Sequence, residues 1–253
     1  MAARTDPIAL DPDKVVATIE QLEARIAERF PGSGLAKVAA TLLGVARAAV
    51  ARAREIRSPR LLLRAISAFL LLAMAALLLF AALHARPPPG RIDAFELVQA
   101  IEATLSGFVL LGALVLFVVT IEVRLKRKRT LEALHELRVL AHVIDMHQLA
   151  KDPERATDGF TATASSPRVE LTSFQLDRYL NYCGDLLALV GKVAAWYLQG
   201  FQDEVVLGAV NEIEDLTNGL SRKIWQKLML LDQMTQRGQR GCEGPSASSA
   251  GPR

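Results

Sequence analysis

Cysteine is nearly missing from this chain: Cys183 and Cys242 are the only two among 253 residues. One lies in an apolar helical pattern and the other in a Gly/Ser stretch, so neither a disulfide framework nor a zinc spacing is present, and free thiols fit a reducing compartment. Aromatic residues are also few, at 6%; Trp196 and Trp225 each sit beside an apolar stripe, where core packing accounts for them. Phosphate-cradling glycine loops are lacking, because Gly32 and Gly34 follow no strand. No nucleophile-elbow spacing frames a serine, and no catalytic residue is assigned. An N-terminal leader is not expected either: the first thirty residues carry Asp6, Asp11, Asp13, Glu20 and Glu23 and no apolar run, so no cleavable signal peptide is read there and the first span is expected to direct insertion itself.

What the chain has instead is two long runs without a charge. Ala65 to Leu83 (AISAFLLLAMAALLLFAAL) and Ala103 to Ile121 (ATLSGFVLLGALVLFVVTI) each hold 19 uncharged residues, and at about 1.5 Å per residue each covers roughly 28 Å, enough to cross a hydrocarbon core. Both read as transmembrane helices. The net charge of +3 hides an uneven distribution: eleven basic residues flank the runs on their outer sides, from Arg47 to Arg64 and from Arg124 to Arg129, against Arg86 and Arg91 in the connecting loop. A basic patch that abuts a span is explained by the positive-inside bias and by anionic lipid headgroups better than by nucleic acid, so lipid is the expected partner and nucleic acid is not. Both termini are therefore expected in the cytoplasm and the loop outside. In the first run Ala68, Ala75 and Ala82 repeat every seven residues, and in the second Ser106, Ala113 and Thr120 do the same. Small residues at that spacing permit close helix approach in lipid, although alanine is common here in any case.

The expected fold is all-α: a two-helix transmembrane hairpin carrying a cytoplasmic helical bundle, with the second span continuing as one helix from Asp93 to Leu149. Residues 1–58 read as an N-terminal helical hairpin, opened by the cap and proline Asp11-Pro12 and broken at Pro31-Gly-Ser-Gly34. Val15, Ile19, Leu22, Ile26 and Phe30 make the first stripe. The second helix packs on protein or, alternatively, lies in the headgroup layer. Residues 61–83 are the first span, 84–102 an external loop with a short helix, 103–123 the second span and 124–150 its continuation. Residues 151–171 read as a polar loop and 172–234 as a C-terminal helical hairpin opened by a capping box at Thr172–Gln175. Residues 235–253, rich in Gly, Ser and Pro, read as a disordered tail. The seam Leu134, Leu137, Ala141 and Ile144 is expected to meet the stripe containing Ile213, Leu220 and Ile224.

Two polar clusters stand out. Glu132, His135, Arg138, His142, Asp145 and His147 share one helix, and Glu132 with His135 has di-iron spacing, but no second such pair exists. A site completed by Asp177, Asp185, Glu212 or Asp215 is the sharper reading, and a solvated or salt-bridged helix face is the one adopted. No metal, cofactor or enzymatic activity is expected. The other cluster, Asn211, Glu212, Glu214 and Asp215 with Ser221, Arg222 and Lys223, reads as self-pairing surface charge or as a partner-binding face.

Three blocks carry a resemblance: Ala27 to Leu35 (AERFPGSGL), Leu134 to Leu149 (LHELRVLAHVIDMHQL) and Val210 to Lys227 (VNEIEDLTNGLSRKIWQK). They resemble those of an uncharacterised family of bacterial two-span inner-membrane proteins, over nearly the whole chain except the tail. The resemblance implies a bacterial inner membrane and transfers no catalytic residue. The function expected is a membrane-anchored scaffold or relay that binds itself or a protein partner. The alternative is a subunit of an oligomeric pore, against which stands the lack of any ionisable residue in either run.

Overall fold

In the computed structural model, which describes residues 10–57, 61–84, 94–153 and 171–242, every regular element is an α-helix. They are α1 (Pro12–Arg29), α2 (Gly34–Arg57), α3 (Leu61–His84), α4 (Ala94–Leu149), α5 (Ser173–Gly200) and α6 (Glu204–Cys242). The turn containing Pro87, most of the polar loop and the last eleven residues lie outside the described residues. The chain divides into two compact units, one built from the residues up to Glu55 together with those from Leu131 onward, the other from Ile56 to Thr130.

The first unit is a set of helices around a buried apolar core. Asp11 caps α1 by accepting from the Asp13 amide at 3.0 Å, with Pro12 at the first helical position, and the backbone then turns at Gly32, whose φ of 70° suits a residue without Cβ. Ser33 Oγ accepts from the Ala36 amide as α2 starts. Thr172 and Gln175 form the full capping box at α5, and the Asp203 carboxylate accepts from the Val205 and Val206 amides at α6. The stripes expected on α1 and α5 are buried, as are Leu134, Leu137, Ala141 and Ile144 on α4 and Ile213, Leu220 and Ile224 on α6. Helix α5 is buried on nearly all sides, from Leu176 to Tyr197, which makes it the centre of the unit.

Side-chain contacts fix the directions. Phe30 packs edge-on against Tyr179 and Tyr182, with ring centroids 5.4 and 6.3 Å apart, seating the end of α1 on the start of α5. Arg138 pairs with Glu212, and Lys227 donates to the Gln148 carbonyl at 2.7 Å, so α4 and α6 run the same way. Arg52 pairs with Glu136 at 2.8 Å while Gly34 lies against the His147 ring, so α2 runs opposite to α4.

By length and composition, two stretches are apolar enough to cross a membrane, Gly34–Arg52 and Thr104–Leu149, with Ala65–Phe80 a shorter apolar helix. The first is a core helix: Leu35, Val38, Ala39, Leu42, Ala46 and Ala49 are buried in the first unit. In the second unit the apolar side chains point outward instead, with Phe69 and Leu72 on α3 and Leu110 and Leu116 on α4 all about 70% exposed. The Thr120 hydroxyl donates to the Leu116 carbonyl at 2.7 Å, and Lys126 pairs with Glu122 at 3.0 Å, so both polar groups are satisfied within α4.

Two expectations are corrected. Trp225 is 67% exposed and not in the core: adjacent helical positions are about 100° apart, which takes it off the Ile224 stripe. Helix α6 continues to Cys242, past Met234 where the tail was expected. Within that extension Thr235 Oγ1 donates to the Leu231 carbonyl and Gln236 Nε2 to the Asp232 carboxylate, both four residues back, and the latter is a pairing that supports a helix.

Candidate functional site

The polar face of α4 comes apart when its partners are placed. His135 and His142 are exposed, and Arg138 reaches across to Glu212. Asp145 instead accepts from Gln148 Nε2 at 2.6 Å, and His147 turns to the start of α2, where its ring lies too close to Gly34 to leave room for a Cβ. Asp177 accepts from Asn181 at 3.2 Å, and Asp215 is exposed. Among the described residues no three His, Cys, Asp or Glu side chains converge on a position for a metal ion. Glu212 is thus tied to α4 and not to the basic residues of its own helix, which corrects the self-pairing assignment for that residue.

A second cluster joins three helices. The guanidinium of Arg52 on α2 bonds Glu136 on α4, which raises its pKa against the opposing effect of burial, and Tyr197 on α5 faces the same group. A third cluster closes the far end of α4. Lys227 donates to the carbonyls of Gln148 and Lys151 at 2.7 and 3.3 Å, covering acceptors that a helix C-terminus leaves open. Burial lowers the Lys227 pKa, while Asp152 and Asp145 oppose that shift. Beneath it Cys183 is buried and its thiol is pushed up to about 12 by desolvation, which leaves it protonated and unreactive at neutral pH.

Between α1 and α5 runs an open groove of about 370 Å³ lined by Lys14, Val15, Leu22, Arg25, Asp185 and Lys192 among others. Burial raises the Asp185 pKa, with Arg25 and Lys192 acting against it. Asp185 enters the sequence reading only as a spare metal ligand, and the three cations do not enter it at all. They border the apolar stripes of two helices far apart in the chain, and no local spacing links them. The only signal was a basic residue at the edge of each stripe.

No family model, curated protein or solved structure matches this chain.

Proposed function

We propose that the chain is a two-span anchor of a bacterial inner membrane that holds its helical unit at the cytoplasmic face as a scaffold or relay for partner proteins. One observation carries this reading. Along residues 65–83 and 104–121 at least fourteen large apolar side chains are exposed, and at roughly 1.5–3 kcal/mol for each one kept in water the sum reaches tens of kcal/mol. A domain is stable by only about 5–15 kcal/mol, so these faces need an apolar medium. Lipid suits both runs because their backbone is helical throughout and Thr120 is satisfied internally. Helix α4 contains both the exposed run and the buried seam of the first unit, so a displacement of the span has a continuous element along which to pass. Only Ser67, Thr104, Ser106 and Thr120 are polar within the two runs, which favours anchoring over an ion path.

The orientation is tested with single cysteines at Gly90 and at Gly241 in a background lacking Cys183 and Cys242. Eleven basic residues on the outer flanks against two in the loop favour an external loop. A membrane-impermeant maleimide should label Gly90→Cys in intact spheroplasts and Gly241→Cys only after lysis. Labelling of the latter in intact spheroplasts would overturn the orientation, and extraction of the protein by carbonate would overturn the anchor.

A further inference from the structure

We propose that the groove between α1 and α5 binds a small organic anion with an apolar body, a carboxylate or phosphate ester carrying a chain of several carbons. The proposal rests on the first unit alone and stands apart from the membrane reading. A volume of about 370 Å³ falls within the roughly 300–1,000 Å³ of small-molecule sites.

The lining has two unlike ends. Because Phe30 sits against Tyr179 and Tyr182, counting back along the antiparallel pair brings Arg25 level with Asp185 and Lys14 level with the turn that holds Lys192. At the Arg25 end the charges offset each other, since Arg25 acts electrostatically on Asp185, and the guanidinium Nε is already committed to the Gln21 carbonyl. At the other end Lys14 and Lys192 face the groove. Lys192 acts on Asp185 electrostatically, less than Arg25 does, but makes no hydrogen bond or ion pair among the described residues, and Lys14 has only a 4.0 Å contact with Asp11 between two exposed side chains, a pairing of little strength. Between the ends lie Val15, Leu22, Ala188 and Leu189. Thr18 joins this floor, because its hydroxyl is spent on the Lys14 carbonyl at 2.8 Å and its methyl group is what remains.

Two under-used ammonium groups at one end of an apolar trough call for an anionic head with an apolar body behind it. A cationic ligand would be repelled by these groups, and a neutral one would leave their charge unmatched. A free acid and an anionic lipid headgroup share the required chemistry.

The test uses the full chain in phosphatidylcholine nanodiscs, irradiated with a diazirine-bearing decanoate, with adducts mapped by mass spectrometry. Saturable adducts are expected between Lys14 and Arg25 and between Asp185 and Lys192, competed by unlabelled decanoate and not by decyltrimethylammonium. Reversing both exposed lysines, Lys14→Glu with Lys192→Glu, should cut groove labelling about tenfold or more, while background labelling of residues 65–121 stays. Ala188→Trp, which fills the trough and leaves the charges intact, should cut it equally. Adducts confined to residues 65–121, or groove adducts indifferent to both changes, would overturn the proposal. With phosphatidylglycerol included in the disc, suppression of groove labelling identifies a lipid headgroup as the occupant, and unchanged labelling identifies a free acid.

Discussion

At the scale of single residues, burial decides more than residue type. Cys183 and Cys242 are equivalent in composition, yet the first is enclosed on α5 with its thiol pushed up to about 12 from an ordinary value of 9.0. The sign follows from linkage: the unfolded chain releases this proton as pH passes 9 while the folded chain holds it, so stability present below pH 9 is lost as pH rises toward 12. The slope is at most about 1.4 kcal/mol per pH unit for one proton. Tyr179 is raised by burial and adds to the same trend, whereas Lys227, lowered by burial, opposes it. Urea unfolding at pH 8 and at pH 10.5 should therefore show a loss of stability that shrinks in Cys183→Ala, and an unchanged loss would mean the thiol is accessible. In a Cys242→Ser background, thiol reagents at pH 8 should react with Cys183 only after urea is added.

At the scale of elements, the parts that local chemistry dictates were legible in the sequence. The Asp11-Pro12 start, the Thr172 box, the break at Gly32 and the stripes of α1, α4 and α5 all follow from propensity and period. What was not legible depends on which helix lies beside which. Arg138 finds Glu212 and Lys227 finds the end of α4 across 74 and 79 residues of chain, and no spacing encodes that. The groove cations were missed for the same reason, as Lys14 and Lys192 share a site only once α1 and α5 are antiparallel. The Lys227 contact predicts that Lys227→Met, which keeps the stem and removes the donor, frees the last turn of α4. A charge-assisted bond contributes about 1.5–3 kcal/mol, and its loss should appear as faster amide exchange from Met146 to Lys151. The tight approach of α2 predicts a second effect. A methyl at Gly34 would overlap the His147 ring, so Gly34→Ala must displace that ring and should destabilise the unit by roughly 1 kcal/mol or more. His147→Ala in the same chain should recover most of it in a double-mutant cycle, and purely additive losses would show that the ring is not the obstacle.

At the scale of the whole molecule, the proposed anchor has the two compact units depend on different media. The first closes its stripes on one another: Ile144 and Leu137 on α4, Ile213 and Ile224 on α6 and Cys183 on α5 are at most 1% exposed. The second turns its apolar side chains outward and on our reading is held by lipid. Their stabilities should therefore be separable even though α4 runs through both. Ile144→Asp places a carboxylate at a fully buried position, where no partner is provided. An unpaired charge there costs several kcal/mol, comparable with the whole stability of a unit this size. The helices of the second unit make their backbone hydrogen bonds within themselves, and in lipid a fault in the core of the first unit gives them no reason to open. In nanodiscs, limited proteolysis of Ile144→Asp should then expose the region from Thr172 to Met234 to cleavage while residues 65–83 and 104–121 stay protected. Ile144→Val, which trims one methylene from the same position, should leave the digestion pattern near that of the unaltered chain, since such a change costs only about 0.5–1.5 kcal/mol. Unchanged protection of Thr172 to Met234 in the aspartate variant would show that α5 and α6 do not rely on the α4 seam, and simultaneous loss of the spans would show that the two units unfold as one.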